Sequence, residues 1–152
     1  MTQRRPSPPL YRFLDVARTT DGLGSWPGMG DYTEVCGYSG LGHLFLTNPD
    51  GRFGVLHTLH GGVQHAGRFD SRLDFEAAVL CNPRFETYML RRALQASLFA
   101  LIGELGTEQV YIPSPLPFLG GDERPSSFEK GNVWIFVKLV DDYLQPRQSL
   151  MS

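Results

Sequence analysis

Residues 37–59 constrain the fold of this chain more than any other stretch. They run Gly37-Tyr38-Ser39-Gly40-Leu41-Gly42-His43-Leu44-Phe45-Leu46, turn at Asn48-Pro49-Asp50-Gly51, and return as Phe53-Gly54-Val55-Leu56-His57-Thr58-Leu59. Asp50-Gly51 supplies the positive φ that a tight hairpin needs, and Pro49 presets the turn. The glycines ahead of the first strand let a backbone come close, either another segment of the fold or a partner. Neighbouring segments extend the pattern. Strand-like runs at 32–36, 43–47 and 53–59, then 63–65 after the His60-Gly61-Gly62 turn, predict an antiparallel meander of three or four strands.

Upstream, residues 10–17 are semi-apolar, strand or helix, and 19–30 form a loop of turn dipeptides. Trp26 stands alone in that loop, either tucked onto the core or presented to a partner. Downstream the period changes. Ser71 and Asp74 form a capping box with Asp in place of Glu, ahead of Leu73, Phe75, Ala77, Ala78 and Leu80. A second helix starts at Asn82 as N-cap with Pro83 at the first helical position. It carries Phe85, Met89, Ala93, Ala96, Phe99 and Leu101-Ile102 at helical spacing to Gly103 or Gly106, and its apolar stretch 94–102 marks it as the central core helix. Residues 111–121 hold Pro113, Pro115 and Pro117 and are extended, on the surface or along a sheet edge. Residues 133–144 fit both templates; a strand near 132–136 and a helix from about 137 to 145 are expected. A β-meander followed by helices is an α+β pattern, here a meander packed against a long apolar helix and a C-terminal helix.

The 152 residues are enough for one domain with a sizeable core. A disordered tail over 1–9 and a single α+β domain over 10–152 are expected. Arg4 and Arg5 have no apolar segment behind them, and no apolar run is long enough to span a membrane. Cys36 and Cys81 sit in apolar surroundings and read as reduced core thiols of a cytoplasmic protein. The net charge of −2 is unevenly spread. No Lys or Arg lies between Arg18 and Arg52, where Asp21, Asp31, Glu34 and Asp50 fall. None lies between Arg92 and Arg124, where Glu104, Glu108, Asp122 and Glu123 fall. Such stretches argue against a nucleic-acid surface and suit either plain solvated loops or a basic protein partner.

No enzyme signature stands out. Ser39 lacks the second glycine of a nucleophile elbow, and the chain is too short for that hydrolase fold. His57, His60 and His65 lie close together with His43 nearby, and a hairpin places His57 opposite His65. A zinc site would still need further ligands and a supporting shell, and polar strand-face histidines are the simpler reading. Asp122-Glu123 and Asp141-Asp142 are adjacent pairs that diverge rather than converge on a substrate. No glycine-rich run ends in Lys-Ser/Thr. No cofactor is expected.

Several segments together resemble a known family. They are Gly37-x-Ser39-x-x-Gly42-x-Leu44-Phe45-Leu46, Asp50-Gly51, Leu56-x-Thr58-Leu59 and Phe69-Asp70-Ser71-x-x-Asp74-Phe75. Further on come Gly106, Val110-Tyr111, Pro113, Pro115 and Leu119-Gly120-Gly121. Over roughly residues 33–145 the chain is similar to the C-terminal domain of type VI secretion DNase-immunity proteins. The resemblance implies a bacterial antitoxin that binds a cognate toxin and blocks it stoichiometrically, without catalysis. Trp26, Tyr32 and Tyr38 are then candidate anchors, because aromatic side chains dominate hot spots. Asp21, Asp31, Glu34, Asp122 and Glu123 are candidates for steering and pairing. The alternatives are an interaction module unrelated to toxins and a small histidine-based metal protein.

Overall fold

In the computed structural model, residues 9–144 are described; the tail expected over 1–9 falls, but for Pro9, outside them. The meander is present and larger than expected. Strands β1 (Tyr11–Thr19), β2 (Glu34–Ser39), β3 (Leu44–Thr47), β4 (Arg52–His57) and β5 (Gly62–Arg68) form one antiparallel sheet in sequence order. The β3–β4 turn is pinned by Asn48, whose Oδ1 accepts the N–H groups of Asp50 and Arg52, both at 3.0 Å. Gly51 adopts the left-handed φ of 82° that the sequence calls for.

Leu44, Phe45 and Leu46 are all fully buried because the sheet is covered on both faces. One face carries Val35, Tyr38, Leu44, Leu46 and Leu56 against α4 (Val133–Leu144), which contributes Val133, Phe136, Val137 and Val140. The other carries Cys36, Phe45, Phe53 and Val55 against Phe75 and Leu80. Gly40 and Gly42 admit other parts of the fold: a Cβ at Gly40 would strike Gln95, and one at Gly42 would strike the Phe136 ring.

The helical half departs from expectation in three places. The Ser71 cap forms, its hydroxyl accepting the Asp74 N–H at 3.1 Å, but α1 (Arg72–Phe75) widens at once into a π-helical turn, Glu76–Leu80. The second helix starts at Asn82 and Pro83 as expected, yet it is not one long helix. It breaks into α2 (Pro83–Tyr88) and α3 (Arg92–Ile102) at Arg91, a non-glycine residue at φ 50°. Leu90 is fully buried there, and the carbonyl freed by the break accepts a 2.7 Å bond from Gln95 Nε2. Finally, α3 is not the central core helix. Only Gln95 and Leu98 of it are buried, and Leu101 is 57% exposed.

That central role belongs to α4, helical from Val133 rather than extended over 132–136. Asn132 caps it, Oδ1 accepting the N–H groups of Trp134 and Ile135 at 2.9 and 3.0 Å. Before it, β6 (Gln109–Pro113) and β7 (Phe128–Asn132) pair as a separate two-stranded ribbon. Tyr111 and Phe128 pack with Leu98 as a third apolar cluster, so the start of the proline-rich segment is core. Of the two thiols, Cys36 is buried but Cys81 is exposed, because it follows the π-helical turn on the outer surface. No helix among the described residues is long and apolar enough to cross a membrane.

Candidate functional site

The three aromatic anchor candidates lie inside. Trp26, Tyr32 and Tyr38 are each 3% exposed, since in every case the polar tip finds a partner that permits burial. Trp26 Nε1 donates to the Leu23 carbonyl at 2.8 Å. The Tyr38 hydroxyl accepts the Glu108 N–H at 2.8 Å. The Tyr32 hydroxyl lies 2.6 Å from His65 Nδ1, with the two rings stacked. As placed, these side chains present no surface to a partner.

The five carboxylates divide into two groups. Asp21, Asp31 and Glu34 are exposed, on segments that adjoin the Thr19 and Thr47 ends of the large sheet. Glu34 pairs with Thr19 and with Thr47 in the strand register. The Asp21 N–H bonds Thr19 Oγ1 at 3.2 Å, and the Asp31 carbonyl accepts Asn48 Nδ2 at 2.9 Å. Asp122 and Glu123 belong elsewhere and are engaged within the fold. Asp122 Oδ1 accepts the Arg124 N–H at 3.0 Å and the Ser127 hydroxyl at 2.6 Å, and these bonds hold its carboxyl below the usual range. Glu123 pairs with Arg91 at 2.8 Å across the helix break.

The histidines do not meet as expected. Register sets His57 opposite Gly62 and His65 opposite Gly54. Instead the rings of His43, His57 and His60 cluster, with centroids 5.6 and 6.1 Å apart, around a cavity of about 80 Å³ that Arg91 and Glu123 also line. Burial first, then the neighbouring His57, His60 and Arg91 charges, push His43 down to about 3. It is therefore neutral at physiological pH. Ser39 Oγ already accepts the N–H groups of Leu41 and His43 at 3.2 and 3.0 Å, so its own proton goes to His43 Nδ1 at 2.7 Å. That leaves the imidazole proton on Nε2. Ser39 is fully buried and its hydroxyl is spent on the β2–β3 turn, an arrangement for structure rather than attack on a substrate. Among the described residues, no group of three or more His, Cys, Asp or Glu side chains is placed to hold a metal ion.

A surface absent from the sequence expectations lies on the outer face of α4. Ile135, Leu139 and Tyr143 recur every four residues, share one helix face, and are 69%, 43% and 52% exposed. Phe118 and Leu119, also exposed, extend the patch: the Phe118 ring centroid lies 5.9 Å from that of Tyr143. Lys138 sits beside the stripe, 3.4 Å from Asp141 and 3.5 Å from Asp142. Asp141 turns inward, accepting the Ser25 N–H at 3.3 Å and tying the helix to the 20–31 loop. The burial pattern of α4 was readable as amphipathic only by its inner face. Its outer face breaks the rule that such a helix is polar towards water.

No family model and no curated protein matches the chain. Among solved structures it is similar to Atu4351 from Agrobacterium tumefaciens, with a TM-score of 0.59 and 16% identity. The match covers 80% of this chain and 65% of that one, so the chain spans under two thirds of that protein. At this identity the likeness is one of fold.

Proposed function

We propose that this chain is a cytoplasmic immunity protein that binds a cognate antibacterial toxin, of the type VI secretion kind, and neutralises it by stoichiometric occlusion. One observation carries the reading: α4 presents Ile135, Leu139 and Tyr143 to water alongside Phe118 and Leu119. A contiguous apolar patch of roughly a few hundred Å² on a monomer marks an interaction surface more often than an accident of packing. The hairpin and Leu-Gly-Gly segments that resemble the immunity family supply the class of partner. Asp21, Asp31 and Glu34 supply the long-range attraction that would speed docking of a basic toxin, such as a nuclease with a cationic cleft. Binding energy comes from the apolar patch, and the carboxylates act on the association rate. Asp122 and Glu123 serve mainly to hold their own loop.

The test is a titration of purified chain into the product of the adjacent gene, assayed first for toxicity on its own. Inhibition that completes at one equivalent supports the reading. A toxin that stays active in a large excess of the chain removes it. A tight complex with a protein of no toxicity would leave the docking surface and replace the partner class.

A further inference from the structure

We propose that the cleft between Tyr32 and the β4–β5 pair binds a small phosphate-bearing anion, held between Arg52 and Arg68. These arginines are direct cross-strand partners in the β4–β5 register, so their side chains leave the same face of the sheet side by side. Like charges set directly opposite one another destabilise a strand pair. Neither guanidinium is relieved by an ion pair or side-chain hydrogen bond among the described residues. Two arginines in this arrangement fit the several oxygens of one phosphate group, which guanidinium forks bind bidentately.

The surroundings complete a site. The cleft has a volume of about 270 Å³ and is lined by Asp31, Tyr32, Arg52, His65, Gly67 and Arg68. Its histidine is aimed by a bulge: Phe53 pairs with Gly67 while Gly54 pairs with His65, so Ala66 is an extra residue on β5. The Tyr32 hydroxyl donates to the Phe53 carbonyl at 3.4 Å and lies 2.6 Å from His65 Nδ1, a bond that fixes the imidazole beside the cleft. Burial, and then Asp31, raise the Tyr32 pKa against the opposing pull of Arg52, so the phenol stays protonated. His65 lines the cleft as a further polar group beside the two guanidinium groups. Asp31 is the one carboxylate in the lining and works against an anion. With Asp50 two residues before Arg52, it also makes the rim hostile to an extended polyanion, which favours a small ligand over a nucleic-acid strand.

The experiment is calorimetric titration of the full chain with inorganic phosphate and with pyrophosphate, in buffer matched to the same ionic strength with sodium chloride. Wild type, Arg52→Gln, Arg68→Gln and Asp31→Asn are compared. All three positions are exposed, and far-UV circular dichroism checks the fold of each variant. Saturable binding at one site is expected. Either arginine variant should weaken it about tenfold or more, the cost of losing a charge-assisted pair. Asp31→Asn should tighten it. Arg68→Gln should also raise the thermal midpoint of the phosphate-free protein while abolishing the rise that phosphate gives to wild type. Heat equal to that of the chloride control, or binding retained in both arginine variants, overturns the proposal.

Discussion

Exchanging Phe136 and, separately, Leu101 for alanine tests which helix carries the core. Phe136 is 1% exposed on α4, packed beside Gly42 and the aliphatic residues of the large sheet. Removing its ring leaves a cavity between α4 and the large sheet, and buried Phe→Ala changes cost roughly 3–5 kcal/mol. Domains of this kind are stable by only about 5–15 kcal/mol, so the loss is a large part of the total. Leu101 is 57% exposed on α3, and its truncation should cost about 0.5 kcal/mol or less. Urea unfolding followed by circular dichroism separates the two. With a slope of roughly 2 kcal/mol per molar, Phe136→Ala should lower the midpoint by about 2 M and Leu101→Ala by under about 0.3 M. Comparable losses for the two variants, or a larger one for Leu101→Ala, would refute the assignment of α4 as the central helix.

Other outcomes follow from the same geometry. Gly54→Ala should destabilise the fold by about 1–3 kcal/mol, because the added methyl would lie 2.7 Å from the Tyr32 ring and hydroxyl; thermal melting measures it. For His43 the folded pKa of about 3 lies below the ordinary 6.5, so the unfolded chain binds the extra proton between those values. Stability should therefore rise with pH across that window, by up to about 1.4 kcal/mol per unit, and level off above it. His43→Gln should reduce the slope between pH 5 and 6.5 to the part contributed by His57, whose pKa burial also lowers, and an unchanged slope would show the His43 ring to be solvated. Burial pushes the Cys36 thiol up to about 11, whereas Cys81 is exposed. A thiol reagent at pH 8 should modify one cysteine in native protein and two in denaturant, with Cys81→Ser removing the native reaction.

What the chain discloses before folding is local chemistry. The β3–β4 hairpin was legible because Asn48, Asp50 and Gly51 act on their own backbone. The caps at Ser71 and Asn82 were legible for the same reason. The break at Arg91 was not, since no proline or glycine occurs between Arg84 and Ile102; burial of Leu90 and the reach of Gln95 to its carbonyl and to that of Leu10 decide it. The choice between α3 and α4 as core helix was likewise hidden. Both are apolar on more than one side, and only the sheet determines which is covered. The aromatic side chains were open between core and interface because a Trp or Tyr can serve either, and only the fold brings Leu23, Glu108 and His65 to their polar tips. The carboxylates of 21–34 were found by the absence of basic residues, but nothing local revealed that Glu123 answers Arg91. The α4 patch was not legible because the segment fits both strand and helix periods, and a strand over 132–136 separates Ile135 from the helix face it shares with Leu139 and Tyr143.

Growth rescue puts the central claim at most direct risk. Cells expressing the adjacent gene's product, where that product is toxic, would carry either the wild-type chain or an Ile135→Asp, Leu139→Asp double variant whose far-UV spectrum and melting curve match wild type. Protection by the wild type and loss of it in the variant are the expected pair of results. Equal protection by both would show that the outer face of α4 plays no part in neutralisation, and none from the wild type would contradict the antitoxin assignment itself.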